Sequence, residues 1–508
     1  MTDFESIDEE NESYTKADTG TSANAGKPKK GSDSQFNRLG TASIGSLLRE
    51  FAIPAIVSMV VSGTYNILSA VFLGWGVGDL GLAVATVANP MMILFISMAM
   101  LVGNGGNALA AIRLGEGKKA EAERVLGNTF TLAIIGAAIM AALAWFAIDP
   151  VLAISGATEE TWEMSKLFIR ILASGCVFQI VGMGLNNFIR SAGDPNRALW
   201  SMLVGTATTV TLSAIFVLGF RWGVAGQASA TIIGQSVSCF VILYYFIASP
   251  KSPFKLRARN IAFCNRIPRT VMALGSAPFL LQVAMAVVSI ILNNQVATYG
   301  AMSSIGETGS FAMFAVIQRV AMFVMFPVTG IAVAAQPLLG YNYGASIPQR
   351  VKQTLTLEFK AGVVICIVMW GLIELFAPTI CTWFGVSAGV LEYTQFALRL
   401  QTMFMPIMTF QIVIGNYFQA TGRPVRSAFL SLTRQIIYLI PLYVFMPMLV
   451  GAVSPGSDQL LGILLSPPIA DVLSFITAII FTAIEYRSLN RAIKAKEAGE
   501  EYVWGANF

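Results

Sequence analysis

Charged residues stand inside long apolar runs of this chain at Arg319, Glu358, Glu374, Arg399, Arg434, Asp471 and Glu485. A charge at bilayer depth is costly and ordinarily faces a cavity or a partner of opposite sign. An acid in such a place is suited to carry a proton or bind a sodium ion. Arg319 and Asp471 lie furthest from any helix end. Glu358 and Glu485 fall near inner ends and Glu374 near an outer end, so all three are expected to reach the interface. Arg399 fits either setting. Asp471 is the candidate for ion coupling, with a structural ion pair to Arg434 or Arg319 as an equal alternative. Other chemistry is poorly supplied. Histidine is absent, which removes the commonest general base and metal ligand. The five cysteines (Cys176, Cys239, Cys264, Cys366, Cys381) show no CxxC spacing and read as small apolar packing residues. No catalytic residue, metal site or cofactor is expected, and a membrane enzyme is excluded on those grounds.

Amides form a second set. Asn66, Asn187, Gln282, Asn293, Asn294, Gln318, Gln336 and Asn416 interrupt apolar runs. Singly, such residues tie helices together for ~1 kcal/mol or less. As a group they suit the walls of a wet central cleft for a small-molecule substrate. Met91, with Met92, Met98 and Met100, would add an adaptable apolar surface. The Gly103-Asn-Gly-Gly106-Asn run lacks the Lys-Ser or Lys-Thr of a phosphate loop and reads as close helix packing.

The elements that position these residues follow from hydropathy. About twelve apolar stretches, each roughly 20 residues or longer, run from Phe51 to Tyr486, enough to cross a bilayer as helices. The tenth reads as one span over 389–419. Alternate gaps are basic: Arg113, Lys118, Lys119 and Arg124; Arg190 and Arg197; Lys251 to Arg269; Arg350 and Lys352; Arg423 and Arg426; Arg487 to Lys496. The opposite gaps carry Asp79, Asp149, Glu159, Glu160, Glu307 and Asp458. This alternation places both termini in the cytoplasm. The chain is 55% hydrophobic and 12% charged, against roughly 25% charged in soluble domains, and its mean hydropathy is +0.67. Its basic excess sits in inner loops, so it speaks for membrane orientation rather than for nucleic acid.

The expected fold is an all-α integral membrane protein. Residues 1–45 read as a disordered cytoplasmic tail without the apolar core and cleavage site of a signal peptide. Residues 46–248 form an N-terminal lobe of six helices, 249–270 a basic cytoplasmic loop, 271–487 a C-terminal six-helix lobe, and 488–508 a second tail. The lobes read as repeats. Asn187-Phe-Ile-Arg-Ser-Ala-Gly193-Asp-Pro195-Asn-Arg197 matches Asn416-Tyr-Phe-Gln-Ala-Thr-Gly422-Arg-Pro424-Val-Arg426, and the same offset aligns Gly115 with Gly344 and Gly156 with Gly385. Even-membered halves enter the membrane alike. They make a parallel repeat about the membrane normal, with a substrate site between the halves.

Several of these segments resemble one family. Gln336-Pro-Leu-Leu-Gly340-Tyr-Asn-Tyr-Gly344-Ala is similar to the eighth-span signature of MATE (multidrug and toxic compound extrusion) transporters, and Asn187 to Pro195 to their fourth. Arg434-Gln435 with Leu439-Ile440-Pro441, Pro468-Ile-Ala-Asp471, and Gly103 to Arg124 resemble the MepA-like branch. The resemblance covers Phe51 to about Arg487. It implies a multidrug antiporter in the plasma membrane of bacteria, exporting organic cations by alternating access coupled to H⁺ or Na⁺, and working as a monomer among lipids. The branch usually carries an acid after Tyr-Asn-Ile-x in the first span, and an Asn and an Asp in the fifth; here those places hold Ser69, Thr209 and Ser213. Serine ligates Na⁺ weakly and carries no proton. Coupling is therefore expected to be lost from the N-terminal lobe, and either moved to the other lobe or absent. A flippase for lipid-linked oligosaccharides is the alternative. A net positive cleft would favour it over an apolar one.

Overall fold

The computed structural model describes residues 38–499 apart from 156, 158, 250–251, 253–254, 258–259, 261–265, 385–387 and 454–457; the side chains of Asn66, Ala70, Asp79, Ile154, Thr308 and Ala388 are also outside the description. Residues 1–37 and 500–508 of the two expected tails, and Gly156, Lys251, Arg259, Cys264 and Gly385, thus lie outside the described residues, while residues 488–498 of the second tail are helical.

The N-terminal lobe comprises α1 (Ile44–Val77), α2 (Asp79–Gly115), α3 (Lys119–Phe146), α4 (Glu159–Ser191), α5 (Pro195–Gly219) and α6 (Gly223–Ile247), with a short helix Ile148–Ile154 before α4. The C-terminal lobe comprises α7 (Ile267–Gly300), α8 (Gly306–Gly344), α9 (Pro348–Trp383), α10 (Ala388–Thr402 with Met405–Ala420), α11 (Pro424–Val453) and α12 (Leu460–Ala498). Among the described residues, eleven helices are long and apolar enough to span a membrane singly, and α10, bent by 42°, makes a twelfth if its two segments are one span. The sequence pattern runs through this bend unbroken. The helix breaks because Pro406, at the start of the second segment, has no N–H to offer the preceding turn. Packed structure also begins before residue 46: Leu39 and Ile44 are 2% and 7% exposed.

Helix ends repeat between the lobes. α2 ends at Gly115 and α8 at Gly344; α3 begins at Lys119 and α9 at Pro348; α4 ends at Ser191 and α10 at Ala420; α5 begins at Pro195 and α11 at Pro424. All four pairs share the offset that aligns Gly193 with Gly422. Those two glycines hold φ of 86° and 79°, a left-handed conformation that L side chains avoid. The proline two residues on presets the first turn of the next helix. Asp194 caps α5 by accepting from the Arg197 N–H at 3.3 Å.

The lobes meet through α2 against α7 and α8, and α1 against α8. Backbones approach too closely there for side chains. A Cβ on Gly275 would collide with the Leu101 carbonyl, and one on Gly344 with the Ile112 carbonyl. One apolar core fills the N-terminal lobe and continues through Leu338, Leu339, Val351, Tyr417 and Leu489. These lie at the C-terminal lobe's inner end, the end bearing the 249–270 loop. A separate core, with Leu292 and Val296 on α7, Met313 and Val324 on α8, and Leu460 on α12, fills the other half of that lobe. The lobes therefore share a core at the inner end and have separate cores beyond it.

Candidate functional site

In the N-terminal lobe the three positions that replace expected polar or acidic groups make no hydrogen bond to one another among the described residues. Ser69 on α1 accepts a short hydrogen bond from Gln227 Nε2 on α6. Beside it, Tyr65 Oη and Thr231 Oγ1 are 3.1 Å apart, and Thr231 donates to the Gln227 carbonyl at 2.9 Å. Thr209 on α5 is buried and donates to its own helix at Gly205 O, 3.0 Å away. Ser213 is 1% exposed and its Oγ has no partner. The π-helical turn Ala214–Gly219 begins at the next residue. The network holds α1 against α6 with neutral groups.

The C-terminal lobe keeps its charges. Arg434 Nε donates to Asp471 Oδ1 at 2.6 Å, with side-chain exposures of 15% and 3%. Arg434 is displayed by the π-helical turn Thr433–Leu439 of α11. Of the two arginines expected as ion-pair partners for Asp471, Arg434 makes the pair. Arg319 does not: it is exposed on α8 and has no ion pair among the described residues.

Two acids expected to reach the interface do not. Glu485 is 1% exposed. It accepts from Tyr417 Oη at 2.7 Å and from Arg423 at 2.6 Å, with Arg426 at 3.9 Å. Glu358 is fully buried on α9. Its Oε1 lies 3.4 Å from Asn416 Nδ2, and its Oε2 has no partner. Helices α9, α10 and α12 pack on one another, and both acids are buried among them. Glu374 and Arg399 do meet near the outer surface, 3.4 Å apart and partly exposed.

The amides divide. Gln336 is 3% exposed and accepts from Asn107 Nδ2 on α2 at 3.0 Å, a bond between lobes. Asn107 Oδ1 in turn accepts from Ser191 on α4 at 2.6 Å. Asn187 donates to Asn104 at 2.7 Å and accepts from Arg190 Nη1 at 2.7 Å. Asn416 donates to the Ala332 carbonyl at 2.8 Å. Gln282 is half-buried on α7, while Asn293, Asn294 and Gln318 are exposed. The Asn66 side chain lies outside the described residues. Met91 is 1% exposed within the N-terminal core. It is a packing residue, not a cleft wall, because helical spacing turns it into its own lobe and away from the second.

Sequence reasoning missed Asn104, Asn107 and Gln227. The first two stand in the Gly103–Asn107 run, where an amide next to packing glycines was the available signal. It also missed the burial of Arg190, which the charge alternation puts in an inner gap and the structure puts at 4% exposure. At the inner end a further tie joins distant parts of the chain. Arg350 Nη2, at the start of α9, donates to the Leu39 and Ala42 carbonyls at 2.9 and 2.8 Å. Its Nε holds Asn342 Oδ1 at 2.9 Å. The leading segment before α1 is thus strapped across the inner end of the C-terminal lobe.

The MatE family profile matches residues 54–215 and 284–444. The multidrug export protein MepA of Staphylococcus saprophyticus is 22% identical over 420 residues, covering 82% of this chain and 91% of that one. An FAD transporter of Shewanella oneidensis is 23% identical over 446 residues, with coverage of 85% and 93%. Among solved structures, an outward-facing multidrug resistance MATE family transporter superposes with a TM-score of 0.83 at 22% identity, over 92% of this chain and all of that one. With two matched halves that coincide with the two lobes, the chain belongs to the MatE family and is a membrane transporter rather than an enzyme.

Proposed function

We propose that this protein is a multi-pass plasma-membrane exporter of small organic compounds, driven by a gradient of H⁺ or Na⁺ through alternating access of its two lobes. One observation carries the reading: the lobes share a core at the inner end and have separate cores elsewhere. A joint closed at one end only can open there while it closes at the other. The basic loops put the inner end, both termini and the 249–270 loop in the cytoplasm, so this is the state closed to the cytoplasm. The protein acts as a monomer, since each lobe supplies half of the cleft.

The coupling ion belongs to the C-terminal lobe. Ser69, Thr209 and Ser213 offer the N-terminal lobe no charge to neutralise. In the C-terminal lobe Asp471 is compensated by Arg434 and Glu485 by Arg423. Glu358 is the buried acid without a cation among the described residues. An uncompensated buried carboxylate is strongly unfavourable, and a proton or sodium ion bound there removes that cost. The substrates are amphipathic organic compounds. Relatives named for multidrug export and for FAD leave either charge open, and the family resemblance favours organic cations. Expression in an efflux-deficient bacterium tests the reading. Accumulation of ethidium or a comparable dye should fall, and an uncoupler or sodium withdrawal should restore it. Unchanged accumulation across both cationic and anionic dyes would contradict export.

A further inference from the structure

The repeat sets buried polar side chains at equivalent positions in the two lobes, with an arginine among them in one lobe and a glutamate in the other. The offset that pairs Asn187 with Asn416 also pairs Thr129 with Glu358 and Arg190 with Gln419. The flanking helix ends obey the same offset, so the positions correspond along the matched helices as well as in sequence. All four side chains are buried: Thr129 and Glu358 at 0%, Arg190 at 4% and Gln419 at 7% exposure. Each carries one buried polar atom without a partner, namely Thr129 Oγ1, Arg190 Nε, Glu358 Oε2 and Gln419 Nε2. Each such atom costs ~1–3 kcal/mol unless something satisfies it. Of these four, the arginine and the glutamate carry the charges that a ligand would answer.

The two charged groups differ in what can satisfy them. Glu358 can neutralise itself with a proton. Arg190 cannot, because a guanidinium stays charged at any physiological pH. Its one side-chain bond is to the neutral Asn187 amide, and it has no ion pair among the described residues. Asn187 and Asn104 are only half-buried, so the polar chain from Arg190 leads outward from the core. Thr129 packs against Gly106, on the stretch of α2 that carries Asn104 and Asn107. The Asn107–Gln336 bond then crosses to the other lobe. Arg190 therefore stands beside the stretch of α2 that carries the inter-lobe bond, where parting of the lobes would uncover it.

We propose that Arg190 of the N-terminal lobe is the centre of an anion site, taking a carboxylate or phosphate group through its charge and its Nε–H, which has no partner among the described residues. Guanidinium groups bind such planar or tetrahedral oxyanions in preference to other ligands. The site deepens the export reading by giving the protein a means to hold an acidic substrate, and it rests on that reading only in treating the anion as cargo.

The test is binding, which needs no gradient. Full-length protein in detergent is titrated with 5-carboxyfluorescein by fluorescence polarisation and with inorganic phosphate by calorimetry, at fixed ionic strength. Ethidium serves as the cationic control. Arg190→Gln installs the residue that the repeat carries at Gln419, and should weaken anion binding at least tenfold while ethidium binding is unchanged. Arg190→Lys keeps the charge and should lose less; it decides the matter if the glutamine variant does not fold. Arg190-dependent binding of carboxyfluorescein assigns the site to the acidic group of an organic compound. Arg190-dependent binding of phosphate alone assigns it to a free anion. If neither anion binds the wild-type protein, or both bind the variants as they bind the wild type, the anion site is wrong. Export of cations in cells would stand in that case, so the two readings fail separately.

Discussion

Asn107 Nδ2 donates to Gln336 Oε1 at 3.0 Å, and this bond joins α2 of the N-terminal lobe to its counterpart, α8, in the other lobe. Both residues are almost wholly buried. Removing one leaves the other unsatisfied, at a cost of ~1–3 kcal/mol. That cost falls only on the state in which the seal is closed. Asn107→Ala should therefore shift the population toward the inward-open state by roughly tenfold, about 1.4 kcal/mol. Spin labels at Ala120 and Val425, both exposed at the inner end, would report a longer distance by double electron–electron resonance. An unchanged distance distribution would show that the bond does not hold the gate.

Arg434 and Asp471 make a different kind of prediction. Breaking a buried pair by removing one partner costs ~3–5 kcal/mol, because the other charge is left unpaired. Asp471→Asn should lower the yield of monodisperse protein sharply. Arg434→Gln together with Asp471→Asn should restore much of it. Size-exclusion chromatography of a fluorescent fusion measures both. Full yield with lost transport in the single variant would instead make Asp471 the coupling acid that the sequence suggested.

Glu358 should behave in the opposite way. Glu358→Gln removes an uncompensated charge, so folding should be unimpaired or improved. Gradient-driven transport should fall to background, while substrate binding stays within about tenfold, ~1.4 kcal/mol. Polarisation in detergent and uptake into vesicles read the two quantities on the same preparation. Normal uptake by the variant would place coupling elsewhere.

The inner turns test the repeat. Gly193 and Gly422 sit at φ of 86° and 79°, where a non-glycine residue costs ~1–2 kcal/mol and a β-branched one more. Gly193→Val and Gly422→Val should each reduce folded yield, with activity per folded molecule retained. Wild-type yield for both variants would mean that the turns are dispensable.

The spans, their number and the repeat were legible because hydropathy and positive charge act on whole segments. A run of apolar residues must cross the bilayer whatever its neighbours are. The Gly-x-Pro turns were legible for a local reason, the φ of glycine and the missing donor of proline. Individual side chains were not. Glu358, Glu485 and Arg190 sit within a few turns of helix ends, and one-dimensional position suggests that they reach water. What decides is whether another helix covers that face, and the packing of α9, α10 and α12 covers the two acids. Met91 failed for the same reason in reverse: it points into the N-terminal core. For Asp471, the partner of its ion pair turned on which arginine lay nearby. The π-helical turn that presents Arg434 has no sequence signature by which to foresee it.

Transport by purified protein tests the central claim most directly. Proteoliposomes are loaded with a fluorescent organic cation or, separately, a fluorescent organic anion, and H⁺ and Na⁺ gradients are imposed one at a time. The account predicts that one gradient drives dye movement against its own concentration difference, that collapsing the gradient stops it, and that Glu358→Gln abolishes it. Dye movement that follows only its own gradient in every condition, or no movement of either dye, would contradict a coupled exporter.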